Sequence, residues 1–274
     1  MKKFTLAAAF AAMTLSVNAQ GVVTEQSTAL TTIQEAEDVV IVGVSESVAQ
    51  YFKENNKIKA DYSINDETRH LYIWTAGDTY AQGTISGMNS VGTAEDYFCL
   101  VVVGGKITWS GMGISYDSED VSFINDDYYL HLAMKSNDNA THALWVGEAK
   151  MAIGDAAFES TPVLDNFPRD GKWYNLDIPV KVIKNFVDGG VIFKGDDLTK
   201  WSGNIISFLS GGVSGTELNF DQVFFYKKGN VDPSGISSVK AENANATMYN
   251  LAGQKVDANY RGIVVKNGKK FMNK

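Results

Sequence analysis

Cysteine is almost missing: Cys99 is the only one among 274 residues. No internal disulfide can form, so the chain must hold itself together by packing. Cys99 stands in the apolar run YFCLVVVGG, the setting of a small core residue rather than a reactive thiol. Basic charge is in short supply, with 24 Lys and Arg against 32 Asp and Glu, a net charge of -8. No basic stripe interrupts that balance, so no nucleic-acid partner is expected. No apolar run reaches the length that crosses a membrane as a helix. His70, His131 and His142 show no H-x-x-x-H spacing and have no cysteine ligand set beside them, which excludes a recognisable zinc site. There is no G-x-S-x-G nucleophile elbow, no P-loop and no dinucleotide fingerprint. No catalytic residue is assigned on these grounds. Proline is also scarce, with 4 residues against 25 glycines, and many short apolar runs separate the glycines. That combination favours a turn-rich β protein.

The chain opens with Lys2 and Lys3, an Ala- and Leu-rich apolar run over 4–17, and the small-x-small triplet Val17-Asn18-Ala19. This is the pattern of a signal peptide cleaved after Ala19. The lack of a cysteine at the cleavage point speaks against a lipid anchor. The expectation is a protein that is secreted or placed at the cell surface, with the periplasm as a further destination.

The stretch 126–154 reads as two strands about a polar break at Asn137, Asp138 and Asn139. Tyr128, Leu130, Leu132 and Met134 fall on one face of the first; Ala143, Trp145, Gly147, Ala149 and Met151 fall on one face of the second. Two such neighbours make a natural centre for a sheet. Further strands are expected over 39–44, 71–75, 97–103, 106–114, 173–180, 191–193, 205–209 and 218–226. One helix is expected over 45–55, where Ser47 and Gln50 have capping-box spacing and Val48, Tyr51 and Phe52 share a face. The segments 76–92 and 158–171 read as long irregular connections. The fold class is therefore all-β, an antiparallel β-sandwich of the jelly-roll type with one short helix. The expected organisation is a signal peptide at 1–19, the sandwich at 20–228, a Gly- and Pro-bearing linker at 229–235, and a small β module of hairpins at 236–274.

Two parts of the chain resemble known families. The elements Tyr249-Asn250-Leu251, Gly253-Gln254-Lys255-Val256, Gly262-Ile263 and Asn267-Gly268-Lys269-Lys270 resemble the C-terminal sorting domains of secreted Bacteroidota proteins linked to type IX secretion. That resemblance implies export, with outer-membrane secretion machinery as a partner of the tail. The closing strand GTELNFDQVFFYKK, with Asp221, Val223, Phe225 and Tyr226, resembles the last strand of galactose-binding-like and carbohydrate-binding jelly rolls. WYNLDIPV is similar to the Trp-led segment that precedes it there. EAED at 35–38 is similar to the opening strand of some carbohydrate-binding modules. In those, a first-strand acid and a last-strand Asp share a structural calcium, which implies Glu35, Glu37 and Asp221 as ligands. The helix-bearing insertion after EAED departs from that pattern.

Sugars bind on exposed aromatic faces, because the C–H face of a pyranose packs on the ring while its hydroxyls find polar partners. Trp145, among small residues of a central strand, reads as core. Trp74 ends a strand. Trp109 and Trp201 each begin Trp-Ser-Gly, a loop context in which a ring projects. The expected ligand contacts are Trp109, Trp201, Trp74 and Tyr80, with the 76–92 segment as a wall. The acids Asp117, Glu119 and Asp120 form a short carboxylate-rich turn. The function expected is non-catalytic glycan binding outside the cell. Two alternatives stay open. One is a glycan hydrolase drawing acids from Asp117, Glu119, Asp127 or Asp221. The other is a structural or adhesive surface protein.

Overall fold

The computed structural model describes residues 22–25, 29–75, 82–101, 109–156, 159–164, 168–195, 200–211, 215–229, 248–250, 254–257, 260–266 and 269–273. In chain order the elements are β1 (Val22–Glu25), α1 (Ala29–Glu35), β2 (Ala36–Gly43), α2 (Glu46–Glu54), β3 (Ile58–Asp61), β4 (Arg69–Thr75), β5 (Thr84–Met88), β6 (Ala94–Val101) and β7 (Trp109–Asp120). They continue with β8 (Tyr128–Ser136), β9 (His142–Val146), β10 (Ala149–Ile153), β11 (Thr161–Leu164), β12 (Tyr174–Pro179), α3 (Val180–Ile183), β13 (Lys200–Gly211) and β14 (Glu217–Lys228). The tail holds β15 (Met248–Asn250), β16 (Lys255–Val256), β17 (Gly262–Lys266) and β18 (Lys269–Asn273). The chain forms two compact units that divide after Gly229. No helix among the described residues is long and apolar enough to cross a membrane.

The larger unit is a β-sandwich. One sheet runs β1-β12-β8-β14-β2-β3, with β6 also pairing to β14 and β5 to β6; the other runs β11-β10-β9-β13-β7-β4. Period-two burial makes the core. Leu130, Leu132 and Met134 of β8, Leu176 and Ile178 of β12, and Phe220 and Phe225 of β14 point inward from the first sheet. Met112 and Ile114 of β7, Leu144 and Val146 of β9, and Ile206 and Phe208 of β13 meet them from the second. Phe208 stacks on Phe220 with ring centroids 3.6 Å apart, joining the two sheets at their centre.

The sheets are mixed rather than purely antiparallel: β2 pairs with β3 and β10 with β11 in parallel. The run 142–153 is not one strand. It turns at Gly147-Glu148 into the β9–β10 hairpin, with Gly147 at φ +53°. A Cβ at Gly147 would lie 2.3 Å from the Ile192 carbonyl, so the turn also needs glycine for space. The turn switches the inward parity from even residues in β9 to odd residues in β10. It also parts the expected central pair, since β8 lies in the first sheet and β9 in the second. Residues 191–193 form no strand; the Ile192 carbonyl instead accepts from Glu148 N–H at 2.8 Å.

The expected helix is α2, but its cap is Ser45, not Ser47. Ser47 is the second residue of the helix, and its N–H and hydroxyl both donate to the Glu95 carboxylate. Val48 and Phe52 bury one face of α2 against Val39, Ile41, Phe224 and Tyr226 on the outer side of the first sheet. Two short helices, α1 and α3, add to the single one expected. In the smaller unit the strand order is β16-β15-β17-β18, all antiparallel.

Candidate functional site

The outer face of the second sheet carries an open groove of about 410 Å³, lined by Tyr72, Ile73, Trp74, Ser115, Gly203 and Asn204. Alternation places Tyr72, Trp74, Ser115 and Asn204 there. In β4, His70, Tyr72 and Trp74 oppose Ser115, Gly113 and Gly111 of β7. In β13, Asn204 and Ser207 oppose Ser115 and Gly113 from the other side. The intervening Met112 and Ile114 point into the core.

Trp74 covers the two glycines of β7. A Cβ on Gly111 would lie 2.8 Å from Trp74 Nε1, and one on Gly113 would lie 2.9 Å from its Cη2. The indole therefore lies against backbone that only glycine leaves bare. The Gly113 Cβ position is also 3.0 Å from Ser207 Oγ and 3.1 Å from Asn204 Oδ1. The Asn204 carboxamide thus flanks the ring in the groove, while Ser207 is buried. Trp74 is half-buried, and Tyr72, half exposed, forms a side of the groove. At the far end, His70 Nε2 lies 3.7 Å from the exposed Asp117 carboxylate. Ser202 Oγ donates to the Asp117 carbonyl.

Trp201, also expected to contact the ligand, is not part of this groove. Trp201 is buried, 5% exposed, in the main core. Its ring sits 5.6 Å from that of Phe193 and passes under Gly203. Trp-Ser-Gly at this position is strand backbone in β13, and β13 turns the indole inward. Trp109 begins β7 opposite Gly211. Tyr80 lies outside the described residues. Trp145 is half-buried on the same outer face, where its Nε1 donates to Ser160 Oγ at 2.6 Å and Lys150 Nζ lies 5.0 Å from its ring.

Asp221 does not share a face with Val223 and Phe225, as strict alternation along β14 would have it: a bulge at Gln222 leaves those two in the core and Asp221 buried on the outer side, where its oxygens are occupied. Oδ2 accepts from Ser90 N–H at 3.0 Å, Ser90 Oγ at 2.8 Å and Gln222 Nε2 at 3.0 Å; Oδ1 accepts from Gln222 N–H at 2.8 Å. Burial pushes its pKa up, against the pull of these hydrogen bonds. The acids expected to share calcium with it are elsewhere. Glu37 pairs in register with Lys227, six residues along β14 from Asp221, a span of about 20 Å. Glu37 faces Lys57 at 3.8 Å, and Glu35 closes α1, its carbonyl accepting from Gly229 N–H. Among the described residues no group of three or more His, Cys, Asp or Glu could hold a metal. The acids weighed for hydrolysis are dispersed too: Asp221 is on the first sheet, Glu119 is engaged by Arg69 at 3.6 Å, and Asp127 is exposed in the turn before β8.

No protein-family model matches this chain, and no curated protein matches it. Solved structures similar to this chain include three carbohydrate-binding modules. The family 11 carbohydrate-binding module of cellulosomal cellulase Lic26A-Cel5E of Clostridium thermocellum shares 14% identity at a TM-score of 0.36, over 60% of this chain and 91% of its own. A family 11 carbohydrate-binding module from Clostridium thermocellum, in complex with a β-1,3-1,4-mixed-linked tetrasaccharide, shares 14% identity at 0.35, over 58% and 89%. A family 30 carbohydrate-binding module shares 14% identity at 0.35, over 63% and 84%. The chemistry of the groove rests on its own residues.

Tyr72, Ser115 and Asn204 were not singled out by sequence. The signal was present in RHLYIWT, where His70, Tyr72 and Trp74 alternate, and in GMG, where Gly111 and Gly113 repeat at the same period. Only the register that brings those two runs side by side turns them into a site.

Proposed function

We propose that this is an exported, non-catalytic glycan-binding protein whose ligand stacks on Trp74. One observation carries the proposal. An indole lies on a glycine floor in an open groove, with Asn204 Oδ1 beside it, Ser115 next along the strand and Tyr72 as a side wall. Such an arrangement offers a sugar what it needs: a flat apolar face for its C–H side and fixed polar atoms for its hydroxyls. Export rests on the leader at 1–19, and delivery to the cell surface or medium through outer-membrane machinery rests on the resemblance of the tail to sorting domains.

The test is a glycan array with residues 20–274, followed by calorimetric titration of whichever glycans bind. Trp74→Ala should weaken binding at least about tenfold, since a stacked aromatic hot spot contributes about 2 kcal/mol or more. Its melting temperature is read alongside, so that a lost fold is not mistaken for a lost contact. Unchanged affinity in Trp74→Ala would move the site off this groove, and no binding to any glycan would sink the proposal. Sequencing the N-terminus of protein recovered from intact cells should begin at Gln20; a retained leader would remove export.

A further inference from the structure

The groove also says what kind of glycan it takes. Its lining of Tyr72, Ile73, Trp74, Ser115, Gly203 and Asn204 carries no formal charge. It follows the strands: Trp74 covers Gly111 and Gly113, Ser115 comes next on β7, and Asp117 follows with 59% of its side chain exposed. From Gly113 to Asp117 is about 13 Å of strand, longer than one pyranose ring. A volume of about 410 Å³ lies within the usual range for small-ligand sites. His70, opposite Ser115 in the register, points its Nε2 at the Asp117 carboxylate across 3.7 Å. A single sugar stacked on Trp74 beside Asn204 leaves the His70–Asp117 end untouched.

We propose that the groove binds a neutral oligosaccharide lying along the strands, one ring on Trp74 and the following units running over Ser115 toward Asp117. The Asp117 carboxylate then acts as a selector. It accepts hydrogen bonds from the hydroxyls of a neutral chain and repels the carboxylates or sulfates of an acidic one. This deepens the function proposed above and rests on it, because Trp74 anchors both.

The test compares a neutral hexose series (mono-, di-, tri- and tetrasaccharide) from a glycan that binds with the oligouronides of the same linkage, by calorimetry at pH 7 and low salt. Affinity should rise at least about tenfold from monosaccharide to trisaccharide, and the oligouronides should bind at least about tenfold more weakly than their neutral counterparts. Ser115→Ala should lower the affinity of the trisaccharide more than that of the monosaccharide. Asp117→Asn, a change at an exposed side chain, should raise oligouronide affinity. A monosaccharide that binds as tightly as the trisaccharide, or an oligouronide that binds as tightly as the neutral chain, overturns this inference while leaving glycan binding at Trp74 intact. If no saccharide binds at all, both proposals fall together.

Discussion

At the scale of single residues, the buried polar groups set the pH behaviour of the fold. His142 is fully buried on β9, with Nδ1 2.8 Å from Ser210 Oγ and Nε2 3.1 Å from Ser136 Oγ. Burial, with the Arg169 charge acting in the same direction, pushes its pKa down to about 3. The unfolded chain takes up that proton below its ordinary value near 6.5, whereas the native state does not. Stability contributed by His142 is therefore complete above about 6.5 and is lost as pH falls toward about 3, at up to about 1.4 kcal/mol per pH unit. Asp177 behaves as its acidic counterpart. Burial alone would raise its pKa, but the His131 ring at 2.9 Å and the Tyr226 hydroxyl at 2.8 Å hold it below the ordinary carboxylate range. Its contribution disappears only at pH below about 4. Denaturant melts between pH 6.5 and 4 should thus show a steady fall in stability that His142→Gln makes shallower. An equal slope in the variant would remove His142 as the cause. None of this was visible in the sequence, where the histidines could be excluded from a zinc site but not placed between particular hydroxyls.

At the scale of elements, a clasp of side chains ties α2 to the last strand. Gln222 sits at φ +50° in a bulge of β14, and its Nε2 donates to both Asp221 and the hydroxyl of Ser45, the cap of α2. Ser90, from the turn after β5, donates to the same carboxylate through its N–H and its hydroxyl. Ser90→Ala should cost about 1.5–3 kcal/mol, the range for a hydrogen bond to a charged group, read as a shifted midpoint in denaturant. A change under about 0.5 kcal/mol, the size of an ordinary surface substitution, would show the clasp to be incidental. Strand positions were largely legible, because alternation survives in β4, β8 and β12 whatever the tertiary context. Strand partners were not. The eye joins 142–153 into one strand because a two-residue turn leaves most of the alternation unbroken. Trp201 looked like a loop residue because Trp-Ser-Gly carries no sign that β13 continues through it. Trp74 was suspected, while its glycine floor depended on a pairing between runs almost forty residues apart.

At the scale of the whole molecule, the chain is two units, and the larger holds the complete two-sheet core. Residues 20–229 should melt cooperatively within a few degrees of residues 20–274. Aggregation of that shortened protein would show that the tail is needed for folding. The all-β class was legible from glycine content and short apolar runs; the two parallel pairs were not, because nothing in a strand's own residues names the direction of its neighbour. One buried atom governs how the molecule can be handled. The Cys99 thiol is shut in the first sheet, and burial raises its pKa to about 11. Maleimides and disulfide reagents attack thiolates they can reach, so the native protein should ignore both. It cannot cross-link to a second copy in an oxidising medium while folded, and every copy that reacts reports an unfolding event. A cysteine introduced at the exposed Met88 would then be the one position a dye or a surface tether could find.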